Sequence, residues 1–356
     1  MLNYLSTCKN NITTFCKQYF QSLSSDYSRI NRWGKDTLDR LFEYVSQGKM
    51  IRGGLISFSH SMFGGTREEP ALRLGAAMEL FQTAFLIHDD IMDRDLYRRG
   101  KPSMHAQYRT LIQSSASPLA TEKIQEAAEG MGICVGDIAI FLAFEILGGT
   151  EVPSSILASL LRLFTRELEY VGLAQMEDVY YSVARESPND EKILALYRYK
   201  TGRYTFSLPL MAGAILAEST PGNIEEMSKL GENLGILFQI KDDELGIFAD
   251  AEEFGKPIGS DILSDKKTLF RWWLLQKTEG AIHARLRTLF GASSLTPDDL
   301  SFLRTILRES GVLAEIYQLM DRLDGESRKC IDLLEVSPLW KEKLYQLVEY
   351  NRSRNK

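Results

Sequence analysis

The chain has 356 residues, with 42 Lys and Arg against 48 Asp and Glu, for a formal net charge of −6. That balance excludes a global electrostatic pull toward nucleic acid or anionic membrane, so a phosphate-bearing ligand must be held by local cations or metal. Four scattered cysteines, Cys8, Cys16, Cys134 and Cys330, form no C-x-x-C pair and sit beside no His at zinc-ligand spacing. A reduced, cytoplasmic protein is the expectation. The N-terminus has no basic stretch followed by an apolar run, and the apolar segments are broken by charge before the roughly 18 residues of a membrane span.

In chain order the pattern is helical almost everywhere. Residues 71–92 repeat apolar side chains at three-and-four spacing and are apolar nearly all round in the middle, as a central bundle helix would be. Residues 113–121 (QSSASPLAT) read as a loop, followed by a short polar helix through Glu129. Residues 130–148 repeat the buried pattern and stop at Gly148-Gly149. Segments 155–181, 190–217 and 222–248 continue the series, with Pro209 predicting a kink inside the second of them. No alternating strand pattern or Asn-Gly hairpin signal occurs. The chain therefore reads as all-α, residues 1–356 forming one large helical bundle whose motifs lie at about 48–268.

Two acidic clusters end apolar helices: DDIMD at Asp89–Asp93, and Asp242-Asp243-Glu244 after LGILFQI. Residues four apart share a helical face, so Asp89 and Asp93 can share ligands while Asp90 turns about 100° aside. Carboxylates clustered this way destabilise a helix unless a cation joins them. Oxygen-only donors favour Mg²⁺, which takes one or two carboxylates and completes its shell with water and substrate phosphate. The cations to hold phosphate are also present: Lys49 and Arg52 in GKMIR, Arg98-Arg99-Gly100-Lys101, Lys200, Lys256, and Lys266-Lys267. They form separate groups, enough for two diphosphates.

These residues together resemble the trans-type polyprenyl (isoprenyl) diphosphate synthase family, and most resemble its geranylgeranyl diphosphate synthases. HDDIMDRDLYRRGKPSMH (88–105) is similar to the family's first aspartate-rich motif, and FQIKDDELGIFADAEEFGKPIGSDI (238–262) to its second. Gly136-Asp137, AQMED (174–178) and KTGRYTFSLPL (200–210) fall between them in the family's order. The resemblance implies the all-α isoprenoid synthase fold, with a central active-site cavity. It also implies a Mg²⁺-dependent condensation of isopentenyl diphosphate with dimethylallyl, geranyl or farnesyl diphosphate, carried out by a homodimer.

Position by position, the resemblance assigns magnesium to Asp89, Asp93 and Asp242, with Asp90 and Asp243 in support. Lys49, Arg52, Gln82 and Arg99 would bind isopentenyl diphosphate. Arg98, Lys200, Thr201, Gln239 and Lys256 would bind the allylic diphosphate, and Gln175 would lie near the reacting carbons. One departure stands out: Gly246 replaces the last Asp of the second motif, which weakens a third ligand but leaves Asp242 and Asp243. Charge grows on the departing diphosphate, so Mg²⁺ with Arg98, Lys200 and Lys256 is where stabilisation is needed.

Product length should be set upstream of Asp89. Phe85 lies one helical turn below it, about 6 Å away, with Phe81 one turn further. Ala84 beside Phe85 is small. In the family, aromatics at both positions go with a C15 product and small residues at both with long chains. One large and one small here, with no insertion in the first motif, points to C20, geranylgeranyl diphosphate, with C15 farnesyl diphosphate as the alternative. A terpene cyclase of the same fold would not need bases for a second diphosphate, and a non-catalytic subunit would not need both acidic clusters.

Overall fold

The computed structural model describes residues 2–115, 120–184, 187–248 and 259–354. The chain falls into two compact units, Met1–Leu161 with Ala212–Glu218, and Arg162–Met211 with Ser219–Lys356.

The first unit is built on α1 (Leu2–Ile30), α2 (Trp33–Ser46), α3 (Ile51–Met62), α4 (Glu68–Met92), α5 (Met104–Ser115) and α6 (Thr121–Gly148). α4 is its centre and packs against α1, α2, α3, α5 and α6. Its near-uniform apolarity has that cause: Ala76, Ala77, Met78, Leu80 and Phe81 point in different directions, yet all are fully enclosed. At Gly53 of α3 the backbones come close: a Cβ there would stand 2.8 Å from the Gly75 carbonyl of α4. α6 is one continuous helix in which the polar turn through Glu129 joins the apolar stretch. By length and mean hydropathy (2.0) it is apolar enough to cross a membrane, yet it packs on α4 and α5 as a core helix does. Residues 116–119 of the expected loop lie outside the described residues.

Against the helical expectation, Tyr97–Arg98 (β1) and Lys101–Pro102 (β2) form a short antiparallel ribbon. Its two-residue turn needs positive φ at both positions; Arg99 (φ 54°) and Gly100 (φ 74°) supply it. An Arg at the first turn position hid the hairpin from a search for Asn-Gly.

In the second unit, α7 (Ser154–Val183, which begins in the first), α8 (Asp190–Leu196), a π-helix (Tyr197–Ser207), α9 (Leu208–Leu216, which ends in the first) and α10 (Pro221–Phe248) precede six further helices. These are α11 (Ser260–Leu263), α12 (Leu269–Lys277), α13 (Gly280–Leu289), α14 (Pro297–Glu309), α15 (Val312–Leu333) and α16 (Pro338–Ser353). In place of a simple kink at Pro209, the chain widens beforehand. The Leu208 N–H reaches back five residues to the Arg203 carbonyl, and the proline that follows has no N–H to give. α10 packs along this π-helix so closely that a Cβ on Gly235 would sit 2.0 Å from the Gly202 Cα. Ile193, Leu237, Ile240, Leu269, Phe270, Leu307 and Ile316 form the core around α10.

Candidate active site

In the first unit the DDIMD motif ends α4. Asp93 caps the helix, its N–H bonded to the Asp89 carbonyl at 2.8 Å, and its side chain is exposed. Asp89 is partly buried. Asp90 is fully buried and both of its carboxylate oxygens are taken. Tyr44 of α2 donates its hydroxyl to Oδ2 at 2.6 Å, and Arg98 of β1 donates Nε to Oδ1 at 2.7 Å. The same guanidinium lies 3.7 Å from Asp89 and 3.8 Å from Asp95. Burial pushes the Asp90 carboxyl up and Arg98 pulls it back. Tyr44, buried against that carboxylate, is raised far above the ordinary tyrosine range and stays a donor.

The GKMIR segment opens α3, with Met50 in the left-handed region (φ 52°) as its N-cap. Gly48 leaves room for Arg99, whose guanidinium would stand 3.3 Å from a Cβ there. Lys49 is exposed, and Arg52 and Gln82 are half-buried. Glu79 of α4, almost fully buried, accepts the Gly53 N–H at 2.8 Å. Burial raises its pKa while the Arg52 charge lowers it. Gly136 of the Gly-Asp pair leaves space for the His88 ring, whose Nε2 would be 2.2 Å from a Cβ there; Asp137 stands 3.6 Å from the same nitrogen.

The second unit carries a matching arrangement. Asp243 is buried and accepts the Tyr197 hydroxyl on one oxygen and Gln239 Nε2, at 2.9 Å, on the other. Gln239 accepts from Thr201 at 2.9 Å, and the Tyr197 oxygen accepts the Leu269 N–H at 3.1 Å. Burial pushes the Asp243 carboxyl up to about 7, with Lys266, 4.0 Å away, opposing it. Lys200 pairs with Asp178 at 2.5 Å, and Gln175, half-buried, is one turn earlier on α7. Asp242 is half-exposed and takes Arg354 at 2.8 Å. Glu244 accepts from Tyr317 and Lys241, and Gly246 gives its carbonyl to the Gly259 N–H. Lys256 lies outside the described residues.

The structure thus joins Asp89, Asp90 and Arg98 in one unit, and Thr201, Gln239 and Asp243 in the other. Asp90 and Asp243, expected to support the metals, each accept protein donors on both oxygens. The reason is burial: an enclosed carboxylate is costly unless hydrogen-bonded. Among the described residues no three Asp, Glu, His or Cys side chains converge to hold an ion alone. Asp89, Asp93 and Asp242 offer oxygen donors, the type a hard divalent cation takes. Tyr44, Tyr197, Glu79 and Arg354 were missed from the sequence. Asking which donors a buried Asp90 must find would have pointed to the tyrosines.

An all-α chain carrying two carboxylate clusters, each set among basic side chains, has the makings of a diphosphate-handling synthase. A family profile described as polyprenyl synthetase matches residues 35–307, and the chain belongs to that family. The geranylgeranyl diphosphate synthase of Sulfolobus acidocaldarius is 34% identical over 269 residues, 75% of this chain and 72% of that protein. The geranylgeranyl diphosphate synthase of Saccharolobus solfataricus is 28% identical over 347 residues, covering 95% and 98%. In fold, the chain is similar to a Corynebacterium glutamicum geranylgeranyl pyrophosphate synthase solved with isoprenyl diphosphate and magnesium. The TM-score is 0.88 and the identity 23%, with 99% of each chain covered.

Proposed function

We propose that the protein condenses isopentenyl diphosphate with an allylic diphosphate and that its product is geranylgeranyl diphosphate. The observation that carries this reading is Arg98, held by buried Asp90 with its guanidinium 3.7 Å from Asp89. A fixed cation beside a carboxylate is what a departing diphosphate with its metal requires. Asp89, Asp93 and Asp242 would hold Mg²⁺, which when bound offsets charge developing on the leaving group. Arg98, Lys200, Thr201, Gln239 and Lys256 orient the allylic diphosphate, whereas Lys49, Arg52, Gln82 and Arg99 hold isopentenyl diphosphate. Gln175 serves near the reacting carbons. The diphosphate released from the allylic partner takes the proton, so no dedicated base is needed.

The S. acidocaldarius and S. solfataricus relatives, both geranylgeranyl diphosphate synthases, support the C20 product. We also propose a homodimer. On α6, Ile133 (46% exposed) and Phe141 (70%), eight residues apart and so on one face, leave an apolar stripe suited to a second copy. Four free cysteines suit a reducing, cytoplasmic setting.

Mass spectrometry of products from the purified protein with Mg²⁺, isopentenyl diphosphate and each allylic starter tests the reading. A C20 product is expected. Products ending at C15 would overturn the chain length, and no prenyl product from any starter would overturn the reaction. Light scattering is expected to give twice the chain mass.

A further inference from the structure

The two units repeat one three-residue device. In the first, Tyr44 donates to Asp90, whose other oxygen holds Arg98. In the second, Tyr197 donates to Asp243, whose other oxygen holds Gln239. The tyrosine precedes its aspartate by 46 residues in both cases. In both, the aspartate is the second of an Asp-Asp pair and is buried, with 0% and 2% of its surface exposed. In both, the side chain held on the far oxygen is one that the proposed reaction uses on the allylic diphosphate.

From this we infer that Tyr44 and Tyr197 are positioning residues for allylic diphosphate binding, each acting through the second aspartate of its motif. A carboxylate has two oxygens and can rotate about its Cβ–Cγ bond. A hydroxyl fixed on one oxygen sets the plane of the group and so the direction in which the other oxygen holds its partner. For Arg98 that partner is a planar fork, whose bidentate use on phosphate depends on its plane. For Gln239 the constraint extends to Thr201, which donates to the amide oxygen at 2.9 Å. Tyr197 is itself fixed by the Leu269 N–H at the start of α12. The tyrosines also hold Asp90 and Asp243 away from metal duty, leaving it to Asp89, Asp93 and Asp242.

The inference rests on the proposed prenyl transfer, so the test has an arm that does not need turnover. Tyr44→Phe and Tyr197→Phe remove only the hydroxyl. Calorimetric titration with inorganic pyrophosphate and Mg²⁺ is expected to show affinity at least tenfold weaker than wild type. Steady-state kinetics should show a similar rise in KM for the allylic diphosphate and little change in KM for isopentenyl diphosphate. Asp90→Asn should reproduce Tyr44→Phe, and the double variant should be no worse than either alone, since both break one chain of contacts. Wild-type pyrophosphate affinity in both tyrosine variants would overturn the inference. Equal loss for both substrates that tracks a fall in Tm would also overturn it, leaving the tyrosines as merely structural. Should Tyr44→Phe not fold, Tyr197→Phe carries the same comparison. If the wild type gives no prenyl product, the reaction fails while the pyrophosphate comparison still decides the role of the tyrosines.

Discussion

Arg354, just past the end of α16, donates to Oδ1 of Asp242 at 2.8 Å while its guanidinium lies 3.8 Å from the centre of the Phe238 ring. It also donates to the Phe238 carbonyl at 3.1 Å and is itself buried. A fixed positive charge therefore sits on the carboxylate proposed to take magnesium in the second unit. Two cations close to one carboxylate repel each other, and partial burial limits screening.

Replacing Arg354 with Ala should accordingly strengthen cation binding at Asp242. The half-saturating Mg²⁺ concentration is expected to fall several-fold, and Mg²⁺ with pyrophosphate should raise Tm by more than it does in wild type. A higher Mg²⁺ requirement would instead make Arg354 part of the bound site.

Much of this arrangement was legible in the sequence. The apolar helices were visible because a central helix such as α4 must be apolar on all sides, and the acidic clusters stood out against that background. Asp89 and Asp93 could be placed on one face, a turn apart, by helix geometry alone, whereas Arg98 lies beyond the helix end on β1. What could not be read was which long-range partner a buried group finds. Tyr44 and Asp90 meet across 46 residues, and Arg354 and Asp242 across 112. No periodicity encodes such pairs. The hairpin at Arg99-Gly100 and the π-helix before Pro209 were missed for a local reason: both use backbone conformations that residue type signals only weakly.

The network around Arg203 makes a stability prediction. Its guanidinium donates Nε and Nη2 to the two oxygens of Glu167, at 2.8 and 2.5 Å, and Nη1 to Glu232. Glu167 is 1% exposed, so its removal strands a largely buried cation with one remaining partner. Breaking a buried pair from one side costs about 3–5 kcal/mol, and Glu232 should hold the loss near the lower end, about 3 kcal/mol. Urea denaturation of Glu167→Ala measures it; a loss below about 1 kcal/mol would mean that Glu232 suffices.

His60 predicts a pH dependence of stability. The ring is buried in α3, where a Cβ on Gly65 would stand 2.1 Å from its Nε2, and burial pulls its pKa below 6.5. Between the folded value and 6.5 the unfolded chain binds the extra proton, so stability rises with pH through that window and is lost as pH falls. Tm should drop as pH is lowered from about 7 to about 5. In His60→Gln the drop should be shallower, because that proton no longer enters on unfolding. Parallel curves for the two proteins would assign the acid sensitivity to other groups.

The last prediction concerns where the growing chain stops. Phe85 lies one turn below Asp89 and is only half-buried. Phe81, a turn further down, is fully buried and packs edge-on against Phe144 of α6 with ring centres 4.9 Å apart. Of the two aromatics, Phe85 is the less buried and is the one we expect to meet a prenyl tail. Burial of apolar area favours extension by about 0.8 kcal/mol per CH₂, so a tail lengthens until a side chain blocks it. Phe85→Ala should therefore move products to C25 or longer. Ala84→Phe should shorten them toward C15, but Ala84 is fully enclosed, so the added ring should also cost roughly 1–3 kcal/mol of stability. Product mass spectra and Tm, measured on the same preparations, separate the two effects. Opposite shifts in chain length support Phe85 as the stop, whereas unchanged products in both variants would place it elsewhere. Phe81→Ala is then the next variant to make, and lengthening there alone would move the stop one turn deeper.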